Sequence, residues 1–127
     1  MCEQADVPCR VVVADDNQIF RNSLVRFLAT IPRISVVAQA ADGHEALQCV
    51  EAADPHILLL DIQMPKMDGI EVLRHLKAQK TDVHVVVLSA HADSYANHAL
   101  ASGASAFVAK GDIPQLVATL RRLVKEC

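Results

Sequence analysis

The chain has 127 residues, 52% of them apolar and 21% charged, enough for one self-supporting domain over residues 1–127 and too apolar for an intrinsically disordered chain. Twelve Lys and Arg against fifteen Asp and Glu give a net charge of −3, without the basic stripe needed to grip a nucleic acid backbone. No apolar run approaches the roughly 20 residues that cross a bilayer, and Met1 to Asp6 holds no basic region leading into an apolar one, so a cytosolic protein is expected.

The first apolar run, Arg10 to Ala14, has the length of a strand. Phe20, Leu24, Phe27, Leu28 and Ile31 then follow helical spacing; Asp16 or Asn17 can cap that helix, and Pro32 ends it. Ser35 to Gln39 reads as a second strand, followed by a shorter helix opened near Gly43 and marked by Ala46, Leu47 and Val50. His56 to Leu60 is the third strand, and Ile70, Leu73 and Leu76 mark the third helix. Gly69 is expected to allow a tight turn there, and Met64 and Met67 to pack the loop before it.

His84 to Leu88 forms the fourth strand. A fourth helix, roughly Ser94 to Ser102, carries Tyr95, Ala96, Ala99 and Leu100 on a thin apolar face and stops at Gly103, a natural left-handed cap. Ala106 to Ala109 is a weaker fifth strand. The fifth helix opens at Asp112 with Pro114 in its first turn, and Leu116, Val117, Leu120, Leu123 and Val124 form its apolar face. Runs apolar at consecutive positions suit strands buried on both faces of a parallel sheet. Five repeats of strand and helix predict an α/β fold, a flavodoxin-like doubly wound (βα)5 with strand order 2-1-3-4-5 and helices on both faces.

Cys2, Cys9, Cys49 and Cys127 make no C-x-x-C pair and are expected as reduced thiols. The six histidines lack the His-Glu-x-x-His spacing, so no zinc site is expected.

In such sheets a ligand sits beyond the carboxyl ends of the strands, where the strand order reverses between strands 1 and 3. Strand 1 runs into Asp15 and Asp16, strand 3 into Asp61, strand 4 into Ser89 and strand 5 into Lys110. Alone, an acidic pair after a strand is a helix cap, a Ser a turn residue and a Lys a solvated end. Four such steps, each at the expected strand end, form a set. Converging carboxylates repel one another and raise their proton affinity unless a cation is present. Oxygen ligands with open positions favour Mg²⁺ shared with a phosphate, while Ser89 can donate to a phosphoryl oxygen and Lys110 can neutralise another. The set describes a phosphoryl-transfer site.

The runs Val11-Val12-Val13-Ala14-Asp15-Asp16 and Leu58-Leu59-Leu60-Asp61-Ile62-Gln63-Met64-Pro65-Lys66-Met67-Asp68-Gly69, with Ser89-Ala90 and Phe107-Val108-Ala109-Lys110, resemble response-regulator receiver domains over nearly the whole chain. Asp16-Asn17-Gln18, Ile34 to Val37 and Gly103 to Phe107 are similar to the branch that usually precedes a helix-turn-helix DNA-binding domain. The resemblance implies that Asp61 is the phosphoacceptor. It makes Asp16, Asp61 and the Gln63 backbone carbonyl Mg²⁺ ligands, with Asp15 acting through water. It assigns Ser89 and Lys110 to the phosphoryl group, gives Ala90 the role of leaving room beside it, and makes Ser89 and Phe107 the switch pair.

Further implications are a sensor histidine kinase as partner and a homodimer on activation through the helix 4, strand 5 and helix 5 face. Gln63 and His91 match positions near the path of attacking water, with solvent-facing side chains the alternative. Tyr95 is expected on the helix surface or toward a partner. Many relatives place Pro after the lysine; Gly111-Asp112 here excludes a cis-proline at that bond and suggests a more mobile loop.

A haloacid-dehalogenase-type phosphatase would want a second Asp where Gln63 stands, and a nucleotide-binding fold a Gly-rich first turn. A phosphorylation-independent interaction module is the stronger rival, though every acidic, hydroxyl and lysine position is filled. No enzyme activity is expected beyond self-phosphorylation from small phosphodonors and autodephosphorylation. Ending at Cys127, just past the fifth helix, the chain has no room for a DNA-binding domain, so either a stand-alone receiver or an excised one is expected, with transcriptional output in a full-length regulator.

Overall fold

Ile57 to Asp61 are all buried, as the unbroken apolar run before Asp61 requires of a central strand. The structure is a computed structural model that describes residues 7–64, 66–90 and 98–127. In chain order its elements are β1 (Cys9–Ala14), α1 (Gln18–Leu28), β2 (Ile34–Ala40), α2 (Gly43–Ala53), β3 (Ile57–Asp61), α3 (Gly69–Ala78) and β4 (His84–Ser89). Residues 98–101 are helical and are labelled α4; then come β5 (Ala106–Ala109) and α5 (Ile113–Val124). The earlier part of the expected fourth helix, with Tyr95, lies outside the described residues, as do Pro65 and His91. The strands pair in parallel in the order β2-β1-β3-β4-β5, the expected doubly wound sheet.

Because successive strand side chains face opposite sides, each central strand feeds two cores. Val12, Ala14, Leu58, Leu60, Val85 and Val87 pack with Ile70, Val72, Leu73 and Leu76 of α3 and with Ala46 and Val50 of α2. Val11, Val13, Ile57, Leu59, Val86 and Leu88 pack with Leu24 and Leu28 of α1 and with Leu116, Leu120 and Leu123 of α5. Each large apolar side chain buried there contributes about 1.5–3 kcal/mol relative to exposure. Among the described residues no helix is long and apolar enough to cross a membrane.

Several expectations change in detail. β2 is an edge strand and only half-buried, not buried on both faces. Its register against β1 slips between Val11 and Val12, which pair with Val36 and Ala38, so Val37 is the extra, exposed residue of a bulge. α1 ends at Leu28, short of Ile31, because the Thr30 N–H bonds the Phe27 carbonyl and the Ile31 N–H the Leu28 carbonyl, bonds three residues back that tighten the last turn. Ile31 still reaches the α1–α5 core from the following turn. Gly103 has φ +113°, as a helix-ending glycine should.

Gly69 answers to a different constraint than expected. It is the first residue of α3 with no left-handed backbone, and a Cβ there would lie 2.7 Å from the Ile62 Cα, so close approach excludes larger residues. Met64 and Met67 are buried, as expected. The thiols also differ from expectation: Cys9 and Cys127 are bonded to each other, because the fold brings the start of β1 beside the residues after α5, whereas Cys49 is free.

Candidate functional site

All the elements that start within the described residues deliver their helix N-termini to one end of the sheet. Asn17, Asp42, Asp68 and Asp112 cap α1, α2, α3 and α5, each side chain accepting from a first-turn backbone N–H. The positive ends of four helix dipoles therefore border the carboxyl ends of the strands, where negative charge is best tolerated. Asn17, not Asp16, is the α1 cap, which leaves the exposed Asp16 carboxylate for other contacts.

Asp15 follows β1 directly and is buried. One of its carboxylate oxygens accepts from the Asn17 N–H at 2.8 Å, and the other lies 2.8 Å from the Lys110 Nζ. Asp61 is the last residue of β3 and buried; it accepts from the Gln63 N–H at 3.3 Å and lies 3.4 Å from the same Nζ. Asp15, Asp16 and Asp61 each offer a carboxylate oxygen within 4.8 Å of the others, a donor set of the kind that suits a hard divalent cation.

Burial first, and then the Asp15 charge, push the Asp61 carboxyl up to about 6, against the pull of Lys110 and the Gln63 N–H. Burial works to lower the proton affinity of Lys110, but its hydrogen bond to Asp15 and the charges of Asp61 and Asp15 outweigh that and hold it raised. Lys110 thus stays an ammonium between two carboxylates, with its Nζ also 4.5 Å from the Phe20 ring centroid.

Ser89 ends β4 and is buried; its carbonyl accepts from the Lys110 backbone N–H at 3.0 Å, which ties the ends of β4 and β5 together. Ala90 is exposed beside it, and the Gln63 side chain is exposed too, in line with the solvent-facing alternative. Phe107 is half-buried on β5, paired in register with Val87 and packed against the α2–α3 core. The structure thus brings Asp15, Asp16, Asp61 and Lys110 together and sets Ser89 and Ala90 on the same edge, while Phe107 lies three residues before Lys110, within the strand.

Two supporting side chains were not legible in the sequence. Arg21 of α1 donates to the Asp15 carbonyl at 2.6 Å and to the Gln39 amide oxygen at 3.3 Å, linking the ends of β1 and β2; a lone Arg on a helix gives no such signal. Phe20 appeared only as a core position, and its contact with Lys110 depends on strand order. The loop after Asp61 is held from outside by Lys66, 3.4 Å from Asp42, and by Gly43, where a Cβ would lie 2.2 Å from the Met67 carbonyl oxygen.

The family of the response regulator receiver domain matches residues 11–121. The transcriptional regulatory protein DegU of Brevibacillus brevis is 44% identical over 102 residues, covering 80% of this chain and 43% of DegU. The chain spans about half or less of the length of the curated relatives it matches. Among solved structures, the signal receiver domain of NarL from Mycobacterium tuberculosis superposes with a TM-score of 0.88 at 34% identity, covering 94% of this chain and 98% of that one. A chain from the complex of the P1 domain of CheA3 with CheY6 from R. sphaeroides gives 0.79 at 40% identity, covering 94% and 98%. A parallel sheet ordered 2-1-3-4-5 with three acidic residues and a lysine at its carboxyl edge, matched over this much of its length, belongs to the receiver domains of response regulators, the phosphorylation switches of two-component signalling.

Proposed function

We propose that Asp61 is the phosphoacceptor of this receiver, and the observation that carries the reading is Lys110, whose single ammonium lies 2.8 Å from Asp15 and 3.4 Å from Asp61. Asp16, Asp61 and the Gln63 carbonyl would hold Mg²⁺, with Asp15 acting through water; when bound, the ion neutralises the charge that otherwise repels an incoming phosphate. The close-set carboxylate oxygens and the raised proton affinity of Asp61 fit that role. The donor is a phosphohistidine of a sensor histidine kinase, in keeping with the complex of a CheA3 P1 domain and CheY6 among the similar structures. An Asp61 carboxylate oxygen attacks phosphorus, the new P–O bond forms, and the P–N bond breaks with its electron pair leaving on the imidazole. Lys110 pairs with the transferred group, the Ser89 hydroxyl donates to one of its oxygens, and Ala90 leaves it room.

The signal then passes through Ser89 and Phe107 to the face made by α4, β5 and α5. As Ser89 is drawn toward the phosphoryl group, Phe107 turns inward, and two discrete packings exchange. That face is the proposed homodimer surface on activation. The longer protein's output is transcription, by similarity to DegU, and its place is the cytoplasm. This segment itself leaves DNA alone, since a net charge of −3 offers little counterion release.

Acetyl phosphate with Mg²⁺ should add one phosphoryl group by intact mass, and chelator should prevent it. Asp61→Asn should remove the adduct, whereas an unchanged adduct on that variant would assign the acceptor elsewhere. Ser89→Ala should still be phosphorylated while losing most of the hydrogen-exchange response at β5.

A further inference from the structure

The amino ends of the strands, opposite the carboxylates, gather a second set of reactive side chains. Cys9 opens β1 and is fully buried, whereas Cys127, three residues past α5, is half-buried. Their Cα atoms are 5.6 Å apart, near the middle of the range that a disulfide spans, and the two sulfurs are bonded. An open cavity of about 330 Å³, lined among others by His56, His84, Glu126 and Cys127, lets a small molecule reach the outer sulfur.

Two chemistries could use this cluster, because His56 brings a ring nitrogen within 4.8 Å of both sulfurs, as a metal site would. The imidazole argues against the metal. Its Nδ1 accepts the Arg10 backbone N–H at 3.0 Å, so in the neutral ring the other nitrogen carries the proton and no lone pair is left for an ion. The sulfurs, by contrast, have a place in both oxidation states. The Cys127 sulfur lies 3.6 Å from the Leu123 carbonyl oxygen, to which a reduced thiol can donate.

We propose that Cys9 and Cys127 are a reversible thiol–disulfide pair that clasps the end of α5 to the start of β1. The oxidant is a low-molecular-weight disulfide, RSSR. The Cys127 thiolate, the more accessible of the two, attacks one of its sulfurs, forming a mixed disulfide and releasing RS⁻. The Cys9 thiolate then attacks the Cys127 sulfur and releases the second RS⁻. In sum the two protein thiols lose two electrons and two protons, and RSSR gains them as two RSH; excess RSH runs the exchange backward.

Leu116, Leu120, Leu123 and Val124 hold α5 on the sheet by burial, and the Arg33 guanidinium donates to the Val124 carbonyl at 3.3 Å. The clasp adds a covalent tie across a sequence separation of 118, which restricts the unfolded chain far more than the folded one. Since β1 rises about 3.3 Å per residue, the pair sits roughly 20 Å from the carboxylate end, and phosphoryl uptake should not depend on it.

The test is to incubate the reduced chain with excess oxidised glutathione, alkylate the remaining thiols and map the digest by mass. A peptide linking Cys9 to Cys127 is expected, with Tm raised by about 5–10 °C over the reduced chain and hydrogen exchange slowed in the last turns of α5. Dithiothreitol should reverse both changes. Cys127→Ser, at a half-buried position that tolerates the change, should abolish them. Alkylation of both cysteines, glutathione left standing on Cys127, or a link from Cys9 to Cys2 would each overturn the proposal. So would a reduced pair that keeps one Zn²⁺ per chain and resists oxidation, or a disulfide that leaves α5 exchange unchanged.

Discussion

At their carboxyl ends β1, β3 and β5 lead to Asp15, Asp61 and Lys110, where two buried carboxylates share one ammonium and the Asp16 carboxylate lies within 4.8 Å of both acids. At their amino ends the same sheet begins beside Cys9, His56 and His84, where one sulfur bond and one neutral imidazole hold the contacts. Between the two lie the two apolar cores of Val, Ile and Leu, one on each face of the sheet. One pole retains charge that burial resists, supported by helix N-termini and a shared lysine, whereas at the other burial and the Arg10 charge lower the proton affinity of His56. The two also respond to acid with opposite sign.

The most damaging change should be removal of the shared cation. Lys110→Ala leaves Asp15 and Asp61 facing each other, and stability at pH 7 should fall by about 2 kcal/mol in chemical denaturation. Mg²⁺ should restore part of the loss; a variant as stable as the parent would mean that the carboxylates do not need the ammonium.

Asp61→Asn should act the other way. Its carboxyl is raised from 3.8 to about 6 in the folded chain, so the folded state holds a proton that the unfolded state gives up. That contribution is complete below pH 3.8 and lost as pH rises through 6. At pH 8 without Mg²⁺ the Asn variant should therefore be the more stable, by about 1.5 kcal/mol after discounting for solvent screening. The advantage should shrink below pH 6 and vanish near pH 3.8.

Smaller again is the support from the caps. Asp112→Ala should lower stability by about 1 kcal/mol through the lost bond to the Gln115 N–H, a change readable as lower helicity of α5. The smallest effect belongs to the amino pole. Burial, followed by the Arg10 charge, lowers the His56 proton affinity, so its contribution is present above pH 6.5 and is lost as pH falls below it. Relative to His56→Asn, the parent should lose a little stability on going to pH 5, an effect kept small by the solvent screening of a half-exposed ring.

Much of the carboxyl pole could be read from sequence because each of its residues directly follows an apolar run, and strand order then fixes their convergence. Asp15, Asp61, Ser89 and Lys110 needed only that rule. Arg21 and Phe20 lay beyond it, since their contacts depend on how α1 lies across the strand ends. The β2 bulge was hidden for a related reason: Val36 and Val37 look alike in composition, and only pairing with β1 exposes one of them. The Cys9–Cys127 pair is the extreme case, joining residues whose proximity exists only once both ends of the fold are in place. Among the glycines, Gly103 was legible from its place after a helix, but the close approach of Gly69 to Ile62 has no local signature.

The central claim, that the carboxylate end is held under repulsion which a divalent cation relieves, is tested most directly by titrating the Asp61 side-chain carboxyl by carbon NMR with and without Mg²⁺. A midpoint near 6 in the metal-free chain, falling below the ordinary carboxylate range when Mg²⁺ is added, is the expected result. A midpoint at 3.8, or one that Mg²⁺ leaves in place, would contradict it.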